Sequence, residues 1–216
     1  MTRGCFITFE GVDGCGKSTQ ARRFLEKLQK EGFSRVVATR EPGGTDIAEK
    51  IRALVIDPKN TAMVNECELL LYLAARAQHV REKIVPELEN GAVVVCDRFQ
   101  DATFAYQGYG RELSLEELTR LNSFATGGIV PELTFVFDIS VEDAFKRLSA
   151  MEKQKDRLES GGKPFFEKIR NGYRTLAAVS PERIVLLDGS LPPDRLADQV
   201  YSLFSKKVDG CTSFLR

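Results

Sequence analysis

Residues 5–31 read CFITFEGVDGCGKSTQARRFLEKLQKE. The opening run CFITF is short, apolar and rich in aromatic and β-branched residues, the composition of a buried strand. The stretch from Ser18 to Glu31 repeats apolar residues at helical spacing. Between them, Gly11, Gly16, Lys17 and Ser18 satisfy the pattern G-x-x-x-x-G-K-[ST]. A strand, this loop and a helix in that order define a phosphate-binding loop. Its glycines let successive backbone N–H groups turn inward around phosphate oxygens. The helix start adds the positive end of its dipole. The whole loop, Gly11, Val12, Asp13, Gly14, Cys15, Gly16, Lys17, Ser18 and Thr19, is the expected ATP polyphosphate site. Lys17 reaches the β- and γ-phosphates, and the Ser18 hydroxyl is a ligand for Mg²⁺.

Further apolar runs end at an acid or a turn at 35–39, 92–96, 133–137 and 184–187, and segments of helical spacing separate them. Alternating strands and helices imply a parallel sheet covered on both faces. The expected fold is therefore a three-layer α/β P-loop fold with five parallel strands, one domain over residues 1–216. The segment 152–162, EKQKDRLESGG, is polar and ends in Gly-Gly. It suits a small mobile lid at about 150–162.

Bulk properties restrict the partners. Lys plus Arg and Asp plus Glu are equal at 31 each, which argues against binding nucleic acid or an anionic membrane through net charge. No apolar run is long enough to span a bilayer. The five cysteines are odd in number and lack C-x-x-C spacing, and His79 is the lone histidine, so a zinc site is not expected. Scattered cysteines suit a reducing compartment, and a cytoplasmic location is expected.

A P-loop kinase needs a second acid near the metal. Asp97, Asp138 and Asp188 each end an apolar run, but only Asp97 is followed at once by arginine. An acid for Mg²⁺ beside a cation for phosphate makes Asp97 and Arg98 the preferred pair. Tyr72 and Arg76 are four apart and share one helix face. Cys15 lies beside Lys17 and a helix start, both of which favour a thiolate, so an alkylating reagent is expected to inactivate the protein unless ATP protects it.

The motifs FEGVDGCGKSTQ, TREPGGT (39–45), LLYLAARAQHV (70–80), CDRF (96–99), AYQGYGR (105–111), PELTFVFDIS (131–140) and DRLE (156–159) together resemble the bacterial thymidylate kinase family over nearly the whole chain. The resemblance implies phosphoryl transfer from ATP to dTMP, giving dTDP and ADP in dTTP synthesis, with Mg²⁺ and a homodimeric assembly. It implies that Asp13 binds the acceptor's 3′-hydroxyl, Tyr72 stacks on thymine and Arg76 donates to a base carbonyl. It implies that Arg98, helped by Arg40, grips the acceptor phosphate. Tyr106 would exclude a ribose 2′-hydroxyl and Gln107 would line the base pocket. Gly14 stands where other members place a P-loop arginine, so a lid cation is needed. Arg157, in the matching D-R pair, is the first choice; Lys153 and Lys155 are alternatives, and Arg147 matches a position on the ATP side. Rival readings are a kinase for another nucleoside monophosphate and a regulatory ATPase without an acceptor.

Overall fold

The computed structural model describes residues 4–150, 157 and 161–209. In chain order the elements are β1 (Cys5–Glu10), α1 (Lys17–Lys30), β2 (Val36–Arg40), α2 (Asp46–Ile56), α3 (Asn65–His79), α4 (Val85–Glu89), β3 (Val93–Asp97) and α5 (Gln100–Thr103). They continue with α6 (Leu115–Thr126), β4 (Leu133–Asp138), α7 (Val141–Ala150), α8 (Gly162–Val179), β5 (Ile184–Asp188) and α9 (Pro193–Asp209). The five strands form one parallel sheet in the order β2-β3-β1-β4-β5, as the alternation of strands and helices requires.

Successive strand residues point to opposite faces, and both faces are buried. Ile7 and Phe9 of β1 and Val93 and Val95 of β3 join a large core. Phe6, Val94 and Cys96 face the other layer, with Val80, Ile84 and Leu88. Phenylalanine substitutes for the absent tryptophan: Phe9, Phe24, Phe135 and Phe137 are buried and in mutual ring contact. Each such burial contributes about 1.5–3 kcal/mol.

Two departures from plain helical geometry shape the site. The helical run that starts with α3 is interrupted at Val80–Ile84 by a π-helical turn, where the Val85 N–H donates to the Val80 carbonyl. Pro86 follows and has no N–H to continue the ladder, which accounts for the break. A second π-helical stretch, Phe104–Gly110, follows α5 directly, and the Arg111 N–H donates to the Tyr106 carbonyl at 2.9 Å.

Strand register brings the functional loops level. Phe9 pairs with Asp97, and Asp97 with Arg40. The P-loop, the Asp97-Arg98 pair and the Arg40-Glu41 turn therefore leave the sheet side by side at its carboxyl edge, where ligands of open α/β sheets bind.

Candidate active site

The P-loop runs from the end of β1 into α1. Gly11 has φ 134°, and an added Cβ would lie 2.8 Å from both Cys15 Sγ and the Phe137 carbonyl oxygen. Gly14 has φ 84°, and an added Cβ would lie 2.6 Å from the Ala144 carbonyl oxygen. This backbone therefore admits no side chain at Gly14, consistent with the missing P-loop arginine. The Ser18 hydroxyl donates to Asp97 Oδ2, so the P-loop hydroxyl and the strand-end acid meet. Asp138 and Asp188 do not join them. Asp138 instead pairs with Arg170 at 2.6 Å and Asp188 accepts from Ser190, while the Ser140 hydroxyl accepts from the Asp143 N–H at the start of α7.

A cavity of about 180 Å³ opens beside this loop. Asp13, Lys17, Ser18, Arg40, Tyr72, Arg76, Asp97, Arg98, Tyr106 and Gln107 all line it. Ten residues chosen from distant parts of the sequence thus face one space. Arg52 also lines it and donates to the Pro42 carbonyl at 2.8 Å. Sequence reading missed Arg52, because in DIAEKIRALVI it looks like any solvated helix cation.

Near the P-loop, Arg98 is central. Its Nη2 donates to Asp13 Oδ1 at 2.7 Å and to the Tyr106 hydroxyl oxygen at 2.9 Å. Tyr106 in turn donates to Asp13 Oδ2 at 2.8 Å, and Lys17 Nζ stands 3.4 Å from Asp13 Oδ1. Burial alone would raise the Asp13 carboxyl. Arg98 and then Lys17 outweigh it and hold the group well below the usual carboxylate range. Asp13 is therefore a fixed anion that accepts hydrogen bonds. Burial pushes the Tyr106 hydroxyl well above its ordinary value, so it stays neutral.

Arg98 has φ 70°, the left-handed region that a non-glycine residue rarely adopts. Its N–H donates to the Phe9 carbonyl at 3.0 Å, and its carbonyl accepts from Cys96 Sγ at 2.9 Å. These contacts hold the strained residue in place, a pattern that concentrates at functional sites.

At the far end of the cavity, α3 presents Arg76, which is 2% exposed. It donates to Glu41 Oε2 at 2.7 Å, to Thr103 at 2.8 Å, to Asn122 at 2.6 Å and to the Phe99 carbonyl at 3.0 Å. Glu41 also meets His79 Nδ1 at 2.9 Å, and His79 Nε2 meets Thr39 at 2.6 Å. His79 is fully buried in this scaffold. Arg40 pairs with Glu49 at 2.9 Å rather than with its neighbour Glu41.

The remaining candidates lie elsewhere. Arg147, on α7, donates to the Cys15 carbonyl at 3.2 Å and to the Gly189 carbonyl at 3.2 Å, which places it beside the P-loop. Arg157 does not line the cavity. It donates to the Val55 carbonyl at 3.0 Å and to Glu68 Oε2 at 2.6 Å. Glu68, fully buried, also receives Gln107 at 2.8 Å and Arg111 at 3.1 Å. Lys153, Lys155 and most of the expected lid fall outside the described residues. The expected Cys15 thiolate is corrected: the residue is 1% exposed, and burial pushes its thiol up despite Lys17. Its enclosure under the P-loop outweighs the neighbouring charge, and the alkylation expected from a thiolate there is withdrawn.

Fold and site together define a P-loop phosphotransferase whose phosphate-binding loop opens on a cavity lined by residues from several distant elements. The family profile described as thymidylate kinase matches residues 9–200. The chain belongs to the thymidylate kinase family. It is 52% identical to a thymidylate kinase of Citrifermentans bemidjiense over 192 residues, covering 87% of this chain and 85% of the relative. It is 45% identical to that of Geotalea daltonii over 213 residues, covering 96% and 99%. It is also similar to the crystal structure of thymidylate kinase from Ehrlichia chaffeensis, with a TM-score of 0.77, 31% identity and coverage of 94% of this chain and 99% of that one.

Proposed function

We infer that this protein transfers the γ-phosphoryl group of ATP to dTMP, giving dTDP and ADP. The observation that carries the reading is one cavity lined by Lys17 and Ser18 of the P-loop, by Arg98 and Asp13, and by Tyr72 and Arg76. Donor phosphates, acceptor phosphate and base each have a matching wall in that single space.

We further propose these roles. The P-loop N–H groups and Lys17 bind the donor phosphates, and Arg98 clamps the acceptor phosphate, helped by Arg40. Asp13, held ionised, accepts from the sugar 3′-hydroxyl. Tyr106, tied to both Asp13 and Arg98, closes the space a 2′-hydroxyl would need. Tyr72 offers a ring face to the base, and Arg76 and Gln107 offer N–H donors. Phosphoryl transfer needs positioning and charge stabilisation more than a general base. Among the described residues no cluster of three or more His, Cys, Asp or Glu could hold a metal. Mg²⁺ takes one or two protein ligands and completes its shell with phosphates and water. Ser18 and Asp97 would hold it, and when bound it neutralises charge on the phosphates. Arg147 stays on the ATP side. Arg157 serves as the lid cation by leaving Glu68 when both substrates are bound.

A homodimer is supported by Ile47, Leu54, Leu70 and Phe124, large apolar residues exposed on α2, α3 and α6, helices that pack side by side. No helix among the described residues is long and apolar enough to cross a membrane; the cytoplasmic location proposed rests on the scattered cysteines, which suit a reducing compartment. The test is a panel of monophosphate acceptors with ATP. The expected order is dTMP, then dUMP, with UMP poor. Equal rates on dUMP and UMP would remove Tyr106 as the sugar filter, and loss of the dTMP preference would favour another monophosphate kinase. ATP hydrolysis without any acceptor phosphorylation would favour a regulatory ATPase.

A further inference from the structure

Glu10 and Tyr173 take no part in the roles above, yet they converge on Arg98. Glu10 ends β1, one residue before the P-loop, and is fully buried. Its Oε1 accepts from the Phe99 N–H at 2.7 Å, directly after the strained Arg98. Its Oε2 accepts from the Tyr173 hydroxyl at 2.7 Å. Tyr173, on α8 and 2% exposed, accepts in turn from Arg98 Nη1 at 3.2 Å. A phenol has one proton to donate. Because that proton goes to Glu10, the Tyr173 oxygen offers only lone pairs to Arg98. The ionised Glu10 thus fixes the polarity of the contact, and it also pins the peptide that sets the arginine's direction.

We propose that Glu10 and Tyr173 are positioning residues that aim Arg98 at the acceptor phosphate. The inference rests on the assignment of Arg98 to that phosphate. Both carboxylate oxygens are spent on the one residue pair, Arg98-Phe99, or on its support. The strut also ties the acceptor clamp to α8, the helix that follows the expected lid.

A pH dependence supports the same geometry. Burial raises Glu10 to about 7, although Arg98 opposes the rise. The other groups facing it are Asp101 on α5, Tyr173 on α8, Cys96 at the end of β3 and Arg183 before β5. When Glu10 takes a proton it becomes a donor toward Tyr173. The phenol proton then turns toward Arg98, donor against donor.

The experiment compares wild type, Arg98→Ala, Tyr173→Phe and Glu10→Gln, varying dTMP at saturating ATP and then ATP at saturating dTMP. Tyr173→Phe and Glu10→Gln are each expected to raise KM for dTMP about fivefold to tenfold, the scale of one ordinary intramolecular hydrogen bond. KM for ATP is expected to stay within about twofold, which general structural damage would not produce. In the wild type KM for dTMP is expected to climb as pH falls through about 7. Glu10→Gln retains only the titration of dTMP's own phosphate, near pH ~6. If Arg98→Ala raises KM for dTMP while the other two variants match wild type, the inference is overturned and the Arg98 assignment stands. If Arg98→Ala leaves it unchanged, both fall. Equal rises in both KM values also overturn it. Should Glu10→Gln fail to fold, Tyr173→Phe decides alone.

Discussion

The cavity has an arginine at each end, and the two are built differently. Arg76 spends four of its five N–H donors on protein partners. It sits on a regular helix with Glu41 as its counter-charge, so a single donor remains for a ligand. Arg98 spends three, and its charge is shared with Asp13 at a backbone position that is itself strained. Two donors stay outside these three bonds, and the residue lines the cavity that Lys17 also lines. A saturated guanidinium suits one neutral carbonyl, as on a base. An unsaturated one suits a phosphate dianion, which accepts several hydrogen bonds. The difference in partners supports the proposed base end at Arg76 and phosphate end at Arg98.

Three substitutions probe the contrast, from the largest effect to the smallest. Arg76→Ala removes the partner of buried Glu41 and is expected to cost about 3–5 kcal/mol of folding stability. A thermal melt checks this, and a near-native Tm would show that Arg76 is not the scaffold its bonds indicate. Arg98→Ala is expected to lower kcat/KM for dTMP by about 10²–10³ with the melt little changed, since Lys17 still faces Asp13. If stability rather than turnover fell, the two arginines would be alike and the contrast would fail.

Arg157→Ala addresses a third arginine that belongs to neither end. Its pair with Glu68 is buried, 10% and 0% exposed, so catalysis through Arg157 requires that pair to open. The expected result is a fall in kcat of about 10² with KM for dTMP nearly constant. A fall of less than about fivefold would leave Arg157 as an anchor for Glu68 and pass the charge-stabilising role to Lys153, Lys155 or Arg147.

Much of this was legible in the chain. The P-loop is a local pattern, and its strand and helix context is local too. Five strands were visible because both faces of the sheet are buried, which gives continuous apolar runs such as VVVC and FVF. Tyr72 and Arg76 could be paired because a four-residue spacing on a helix is a geometric statement. The π-helical stretch at Phe104–Gly110 was not legible, since no proline announces it.

The sequence by itself determined the fold class, the phosphate loop, the Asp97-Arg98 pair and the likeness to thymidylate kinases, because each rests on residues close in the chain or on an ordered set of motifs. Tertiary structure alone decided what those residues touch. Glu10 meets Tyr173 across 163 positions, and Arg157 meets Glu68 across 89. Such contacts follow from the strand order and helix packing, not from any local period. Burial is the same kind of property: Cys15 and Glu10 read locally as a reactive thiol and an ordinary carboxylate. Enclosure from every side, set by distant segments, raises both pKa values and changes what each can do.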